Sequence, residues 1–436
     1  MFVLARRWFD RRDAMFAAVL YTVNPYLLVV VYWRSAFAEL LASCLVPMLL
    51  LAVVRLVEDE RRVVIPLALV LAAAWLTNAP AAVMIHYSLA LLLLLVAWQR
   101  RSLRPLLAGV SAVALGASLA GFYLLPAIYE QKWVNIAEAV SAGSRPQDNF
   151  LFQHTTDADH DAFNRIISWV AILEIVVTLA AAWTARSYSK VRSLWNALAC
   201  WAAVCGVLMF PVTVLLWRFL PKLEFMQFPW RWLLCLSAIS TVLVTAGLRS
   251  WRMRVGVAVV GVVVVGGAWH VIQPPWWDNA ADLREMHDNV ADGIGYEGTD
   301  EYTPVGADAS AIDKNVGRVV VSGSAQGTIQ VMRWEAESKS FTAEMSAPDQ
   351  LALRLFRYPA WRAEVNGHMV ETSVRGETGQ MLVPVEAGTN RVEIKFVRTW
   401  DRTAGGWISA VTVMALIGWS LLRRKHIAIT SSALSS

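Results

Sequence analysis

The sequence is poor in charged residues and in cysteine, and each shortage excludes a class of protein. Asp, Glu, Lys and Arg make up 17% of the 436 residues, whereas hydrophobic residues make up 57%, which is too apolar for an ordinary soluble chain. Four cysteines are present, and all lie inside apolar runs: Cys44, Cys200, Cys205 and Cys235. We therefore expect no disulfide framework and interpret these cysteines as small apolar residues.

Several motifs of common enzyme classes are missing as well. The sequence contains no Walker phosphate-binding motif, no dinucleotide fingerprint and no HExxH, so neither an ATP-driven pump nor a zinc protease of that type is indicated. The N-terminal stretch Phe2–Arg12 carries four arginines without the short apolar stretch and cleavage site of a signal peptide. Membrane insertion is therefore expected to depend on the first helix itself.

Long apolar runs recur along the chain, and most approach the length needed to cross about 30 Å of hydrocarbon. Their pattern predicts a polytopic α-helical membrane protein with about ten transmembrane helices. These are expected near residues 12–32, 36–56, 62–78, 82–99, 103–125, 165–186, 193–219, 228–248, 253–271 and 405–423.

The net charge of +5 is unevenly distributed and does not indicate a nucleic-acid partner. Between Val271 and Ala404 there are 13 Lys and Arg against 20 Asp and Glu. The positive charges of the membrane part lie in every second connection between helices: 55–62, 100–104, 186–192, 249–254 and 423–425. This asymmetry predicts that these connections and both termini are cytoplasmic, with the intervening loops on the opposite face.

Two proline motifs interrupt apolar runs near membrane depth. Asn24-Pro25 and Asn78-Ala79-Pro80 break their helices, because proline removes a backbone donor and clashes with the preceding turn. Irregular backbone at this depth is tolerated where it lines a wet cavity or is covered by protein. The sequence leaves open whether these breaks line a cavity or are packing kinks.

Beyond residue 316 the apolar pattern alternates with period two, and Asn366-Gly367 is a strong hairpin signal. About eight short strands predict a β-sandwich. The predicted order is a transmembrane domain at 1–271, an extracytoplasmic linker at 272–315, an extracytoplasmic β-sandwich at 316–400, a last helix at 405–423 and a cytoplasmic tail at 424–436. Asp278–Ala311 within the linker is expected to be ordered but irregular.

The segment Tyr32–Leu40 places two charged residues between membrane helices on the face expected to be exported. An ionised group near hydrocarbon costs on the order of 3 kcal/mol unless it is paired or hydrated. Arg34 is suited to grip a phosphate as a planar fork of donors, with Glu39 holding it in place or accepting a proton. The alternative is an Arg–Glu pair that only fixes the turn.

A second segment, Glu224–Trp232, lies at the exported end of another helix pair. Trp230 alone is typical of an interfacial aromatic belt. Arg231, preceded by Pro229 at the start of an apolar run, suits the phosphate of a lipid carrier or snorkels to the headgroups.

A third segment begins with Leu125-Pro126-Ala127 and opens the loop 129–164, where Glu130 is a further candidate substrate-binding residue. The loop also contains a group of histidines and aspartates, namely His154, Asp157, His160 and Asp161. Their composition resembles a metal cluster, but their spacing matches no ligand pattern. We interpret the loop as solvated and acidic.

With these residues in view, the chain resembles the bacterial membrane-protein family labelled 6-pyruvoyl-tetrahydropterin-synthase-related, more distantly the YfhO-like proteins, and through both the GT-C glycosyltransferase superfamily. The resemblance rests on Asn24-Pro25 leading to the Tyr32–Glu39 turn, on Leu125-Pro126-Ala127 and on Phe228-Pro229-Trp230-Arg231. Two further matching motifs are Glu301-Tyr302-Thr303-Pro304 and Tyr358-Pro359-Ala360-Trp361. The label does not imply pterin chemistry, because pterin synthases are soluble zinc enzymes and no comparable set occurs among the seven histidines.

GT-C membership would imply a plasma-membrane enzyme that transfers sugar from a polyprenyl-phosphate-linked donor to an envelope glycan or protein on the extracytoplasmic face. It would also imply an acidic residue in a first exported loop, and by comparison this sequence begins downstream of that helix pair. The residues carried over are therefore Glu39 as catalytic candidate, with Arg34, Arg231, Glu130 and Trp230 as substrate-binding candidates; no cofactor is assigned. The alternative is a catalytically inactive, membrane-anchored protein for glycan binding or envelope assembly, in which Tyr358, Trp361 and Trp334 stack on sugar.

Overall fold

The structure is a computed structural model that describes residues 1–58, 63–187, 192–248, 250–271, 280–291, 300–308, 311–313 and 315–433. It divides into two compact units. The first comprises Met1–Gly121, Val140–Trp277 and Ile408–Ser436, and the second comprises Phe122–Ala139 and Asp278–Trp407. Most of the predicted linker at 272–315, including two stretches of Asp278–Ala311, lies outside the described residues.

Helices account for most of the described chain. Up to residue 130 they are α1 Phe2–Ala5, α2 Arg11–Thr22, α3 Pro25–Tyr32, α4 Phe37–Ser43, α5 Leu45–Val57, α6 Val64–Thr77, α7 Ala79–Arg100, α8 Arg104–Leu119 and α9 Gly121–Glu130. The later ones are α10 Ala158–Ala185, α11 Arg192–Leu208, α12 Val214–Phe219, α13 Leu233–Gly247, α14 Trp251–Val271, α15 Ala280–Ala291 and α16 Trp400–Ala433.

Five stretches of the described residues are each long and apolar enough to cross a membrane: Phe37–Val57, Ala79–Arg100, Ala158–Ala185, Pro229–Gly247 and Trp400–Leu422. Three bent helix pairs would raise the number to eight, namely α2 with α3, α8 with α9, and α11 with α12. The multi-spanning class is thus confirmed, whereas the predicted count of ten is not.

The bend between α2 and α3 has a local cause in the Asn24-Pro25 motif. The side chain of Asn24 accepts a hydrogen bond from the backbone N–H of Tyr26 (2.8 Å), and Pro25 occupies the first helical position. Proline is favoured there because its missing N–H would have no intrahelical partner. The run predicted as one helix at 12–32 is therefore two helices that meet at 42°.

The most buried helix of the first unit is α13, which packs against α2, α10 and α11. Its side chains are buried almost throughout. Three hydroxyls on it, those of Ser237, Thr241 and Thr245, each donate to a backbone carbonyl one turn earlier. Such bonds satisfy polar groups where no water is present. This helix provides a rigid support for the residues that precede it.

The described residues of the second unit include nine strands, which form a β-sandwich. They are β1 Val319–Val321, β2 Gly327–Trp334, β3 Ser338–Met345, β4 Asp349–Phe356, β5 Trp361–Val365, β6 His368–Val370, β7 Ser373–Arg375, β8 Gln380–Val385 and β9 Gly388–Phe396. They form antiparallel sheets ordered β1-β4-β8-β7 and β2-β3-β9-β5-β6. Buried residues of both sheets, such as Leu351 and Val383 opposite Phe341 and Ile394, form one core.

The predicted hairpin at Asn366-Gly367 connects β5 to β6. Both residues have positive φ, 53° and 82°, as a two-residue turn of this kind requires. The chain after this hairpin forms β6 in one sheet and then β7 in the other. Alternation alone cannot show that the chain passes from one sheet to the other, because β6 and β7 both alternate with period two.

Candidate functional site

The turn between α3 and α4 fixes the first two predicted site residues. Ser35 has a positive φ of 48°, and this sharp reversal brings Arg34 back toward the first turn of α4. Glu39 lies in that turn and its side chain is only 1% exposed. Arg34 Nη1 donates to Glu39 Oε2 at 2.7 Å. The predicted Arg–Glu pair is therefore present and is nearly sealed from solvent.

Two further side chains converge on the same carboxylate. The hydroxyl of Tyr26, from α3, donates to Glu39 Oε1. Arg231 Nε lies 3.3 Å from Glu39 Oε2, although the two residues are far apart in sequence. We call Tyr26, Arg34, Glu39 and Arg231 the Glu39 cluster. It contains two guanidinium groups and one carboxylate, an arrangement with excess positive charge.

Arg231 is held in place from the other side by backbone and amide oxygens. Its Nη1 donates to the carbonyl oxygen of Met226 at 2.6 Å and to Gln227 Oε1 at 3.3 Å. The chain reverses at Gln227, where φ is 65°, and then enters a 3₁₀ turn over Pro229–Trp232 that leads into α13. Proline at the start of this turn fixes its direction, so the guanidinium points back into the protein.

An aromatic wall lies beside both guanidinium groups. The rings of Phe228 and Trp230 stack with centroids 4.9 Å apart and planes within 11°. The guanidinium carbon of Arg34 is 4.7 Å from the Trp230 ring, and that of Arg231 is 4.6 Å from the Phe228 ring. Cation–π contacts of this kind strengthen when water is excluded. The wall thus orients both arginines as well as shielding them.

Access to the Glu39 cluster is uneven. The side chain of Arg34 is 15% exposed, against 9% for Arg231 and 1% for Glu39. An anion can therefore approach Arg34 with the least rearrangement, whereas both oxygens of Glu39 are occupied by donors. In chemical terms the cluster is suited to bind a phosphate or carboxylate through a guanidinium that a buried carboxylate holds in position.

Four of the five predicted site residues come together here: Arg34, Glu39, Trp230 and Arg231. The fifth, Glu130, belongs to the second unit. There its two carboxylate oxygens accept from Nε and Nη2 of Arg402 at 2.7 and 2.8 Å. This bidentate ion pair explains the residue without reference to a substrate.

Two residues of the site were not selected by sequence reasoning. Tyr26 directly follows the Asn24-Pro25 break. A polar side chain just after a break in a membrane helix could have indicated this residue from the sequence. Phe163 packs edge-on against Trp230 with centroids 5.5 Å apart. No sequence pattern connects it to the cluster, because its helix α10 approaches only in the folded chain.

The histidines and aspartates of the loop 129–164 form contacts within the loop and the adjoining turn of α10. His154 Nδ1 lies 2.9 Å from Asp161 Oδ2, and His160 Nε2 lies 2.9 Å from Asn149 Oδ1. Asp157 caps α10 by accepting from the backbone N–H groups of residues 159 and 160. These contacts order the start of the helix.

Comparison with known proteins supplies the family. Residues 1–272 match the model of the 6-pyruvoyl-tetrahydropterin synthase related domain, which is described as a membrane protein. The chain belongs to this family. The matched part of the chain contains the whole Glu39 cluster and its aromatic wall, and it ends before the β-sandwich. No curated protein and no solved structure matches the chain.

Proposed function

We propose that this membrane protein is a glycosyltransferase-like protein of the GT-C type, located in the bacterial plasma membrane. It transfers a sugar from a polyprenyl-phosphate-linked donor to an envelope glycan or protein on the extracytoplasmic face. The observation that carries the proposal is the convergence of two guanidinium groups, Arg34 and Arg231, on one buried carboxylate beside an aromatic wall. Preorganised cations of this kind stabilise the charge that develops on a departing phosphate.

Within this proposal Arg34 has the direct role. Its guanidinium is the more exposed of the two, and its donors not used on Glu39 are available to the phosphate oxygens of a lipid carrier. Arg231 contributes charge from behind, since its Nη1 donates to Met226 and Gln227 while its Nε forms an ion pair with Glu39. Trp230 is 1% exposed and packs against the Arg34 guanidinium, so it orients that group and is itself covered by protein.

Glu39 retains the two roles that the sequence left open. To accept a proton, Glu39 would first have to release one of its hydrogen-bonding partners and bind the hydroxyl of the molecule that receives the sugar. As a positioning residue it acts as it stands, because it fixes both guanidinium groups. Its burial and its three partners favour the positioning role.

The same burial favours a second candidate function, in which the chain binds a lipid-linked glycan or assembles envelope components without catalysis. In that case the β-sandwich is not expected to supply a sugar platform of tryptophans. Trp361 is buried and packs edge-on against Phe396 with centroids 5.0 Å apart. Trp334 and Tyr358 are partly buried against the same core. Any lipid-linked ligand would then be held by the Glu39 cluster.

The experiment is a binding and transfer assay with labelled polyprenyl-phosphate sugars on the full chain in nanodiscs. We expect saturable binding that Arg34→Gln weakens about tenfold, the effect of losing one charge-assisted hydrogen bond to phosphate. Arg145→Gln is the matched control, because Arg145 forms an Arg–carboxylate pair with Asp148 outside the cluster (2.8 Å). Transfer to an acceptor supports the enzyme, and binding alone supports the second function. Equal binding by both variants would reject the site.

A further inference from the structure

A cleft lies at the start of α10 within the first unit, and no residue of the Glu39 cluster lines it. It has a volume of about 240 Å³ and is lined by Phe152, Gln153, His154, Asp161, Arg165 and Trp169. Neither the proposed sugar transfer nor the capping of the helix uses its imidazole, its guanidinium or its exposed indole. The chemistry of these three groups indicates a ligand.

The imidazole of His154 is oriented by a carboxylate behind it. Its Nδ1 lies 2.9 Å from Asp161 Oδ2, while Asp161 Oδ1 accepts from the backbone N–H and the hydroxyl of Thr155 at 2.5 and 3.2 Å. When Nδ1–H donates to this carboxylate in the neutral ring, Nε2 carries the free lone pair and is the acceptor. The His154 side chain is 87% exposed, and Nε2 is therefore open to a donor in the cleft.

Arg165 lies one helical turn after Asp161 and supplies hydrogen-bond donors, whereas His154 supplies an acceptor. Arg165 is exposed, and it takes part in no ion pair among the residues that the structure describes. Residues four apart on a helix lie on one face, so Asp161, Arg165 and Trp169 follow one another along the same side of α10. The cleft thus presents an acceptor and a free cationic donor fork side by side.

The position of the cleft along α10 places it at a membrane boundary. The helix has 28 residues, about 42 Å at 1.5 Å per residue, which exceeds about 30 Å of hydrocarbon. Its charged residues are at the start, and after Arg165 only Glu174 is charged before the helix ends at Ala185. The guanidinium of Arg165 is therefore at headgroup depth, and Trp169 lies one turn deeper. The Trp169 side chain is 62% exposed, and its ring centroid is 5.5 Å from that of Phe152.

We propose that this cleft binds the headgroup of a zwitterionic phospholipid with a primary ammonium, such as phosphatidylethanolamine. Arg165 binds the phosphate, and Nε2 of His154 accepts a hydrogen bond from the ammonium. Trp169 and Phe152 contact the glycerol and upper acyl region, as interfacial aromatic residues do. The carboxylate of Asp161, which lines the cleft, favours a ligand that brings a cation with its phosphate over one that is only anionic.

The test measures lipid retention by native mass spectrometry on the full chain, with phosphatidylethanolamine, phosphatidylcholine and phosphatidylglycerol at equal concentration. Phosphatidylcholine has no ammonium donor, and phosphatidylglycerol has no ammonium charge. We expect phosphatidylethanolamine to be retained about tenfold more strongly than either, as one charge-assisted hydrogen bond would give. Equal retention of the three lipids would overturn the proposal.

Variants assign the two contacts separately. Arg165→Gln should lower retention of all three lipids, whereas His154→Phe should abolish the preference for phosphatidylethanolamine and leave phosphatidylcholine unchanged. Arg186→Gln is the matched control, because this arginine lies just beyond the other end of α10 with its guanidinium 3.6 Å from the Trp183 ring. If Arg165→Gln behaves like Arg186→Gln, the cleft holds no phosphate and the proposal is wrong.

Discussion

At the scale of single residues, the main energetic feature is the buried carboxylate of Glu39, which accepts hydrogen bonds from Tyr26 and Arg34 and forms an ion pair with Arg231. Removing Glu39 and Arg231 from water costs several kcal/mol for each ion. Their mutual attraction offsets this cost only while the geometry is intact. Because two guanidinium groups depend on one carboxylate, Glu39 is the residue whose loss leaves the most charge uncompensated.

We therefore predict that Glu39→Gln lowers the free energy of unfolding by about 3 kcal/mol, the usual effect of breaking a buried ion pair. Thermal unfolding in detergent can be followed with a thiol-reactive dye once Cys44 and Cys200 are replaced by alanine, since Cys205 and Cys235 are buried in the folded chain. Glu58→Gln is the control, because its ion pair with Arg7 is solvent-exposed and should contribute less than about 1 kcal/mol. Equal losses in the two variants would contradict the buried-pair argument.

The sequence identified part of this site for a definable reason. Arg34 and Glu39 are charged residues beside a short turn between apolar helices, and the cost of burying them makes such residues conspicuous. That Arg231 would meet the same carboxylate was not predictable, because no local pattern links residues almost two hundred positions apart. Glu130 was selected where a helix ends and the loop 129–164 opens, and its partner is Arg402.

At the scale of elements, the break between α2 and α3 is tied to a third helix. Asn24 accepts from the backbone N–H of Tyr26 and donates through Nδ2 to Glu174 Oε1 of α10 at 3.0 Å. Both side chains are buried. One amide thus caps the helix that carries Tyr26 and also donates to one carboxylate oxygen of an acidic residue inside a candidate membrane span. The sequence alone did not decide whether this break lines a cavity or is a packing kink. The contact between Asn24 and Glu174 favours the packing kink.

We predict that Asn24→Ala lowers the free energy of unfolding by about 2–3 kcal/mol. The helix cap accounts for about 1 kcal/mol, and loss of a buried hydrogen bond to Glu174 adds about 1–2 kcal/mol. Asn78→Ala is the matched control, since Asn78 also caps a helix, α7, just before a proline. It should lose only the cap, about 1 kcal/mol. The same loss in both variants would show that the Glu174 contact adds nothing.

Element types were more predictable than element shapes. Apolar runs located the helices and alternation located most strands, because burial imposes those periods. The runs could not show that 12–32 and 193–219 bend, by 42° and 94°. A bent pair has the same composition as a straight span. The structure has local causes at both places, Pro25 and Pro211 at the start of the second segment, and the first of these prolines was a visible signal.

At the scale of the whole molecule, orientation in the membrane depends on charge rather than packing. The connections expected to be cytoplasmic are basic, whereas Val271 to Ala404 has 20 acidic against 13 basic residues. Positive charge in short loops resists translocation, while acidic residues have little effect. The sugar-transfer proposal requires this orientation, because lipid-linked donors of the expected kind are used on the extracytoplasmic face.

We predict that a membrane-impermeant maleimide labels Ser373→Cys in intact cells, because Ser373 lies exposed on β7 of the β-sandwich. Leu103→Cys, which is exposed in the basic connection before α8, should be labelled only after permeabilisation. Both changes are made in a chain with Cys44 and Cys200 replaced by alanine. Cys205 and Cys235 are kept, because they are buried. The reverse pattern would place the β-sandwich in the cytoplasm. It would remove the reason to expect a lipid-linked donor at Arg34, although the buried contacts of Glu39 would stand unchanged.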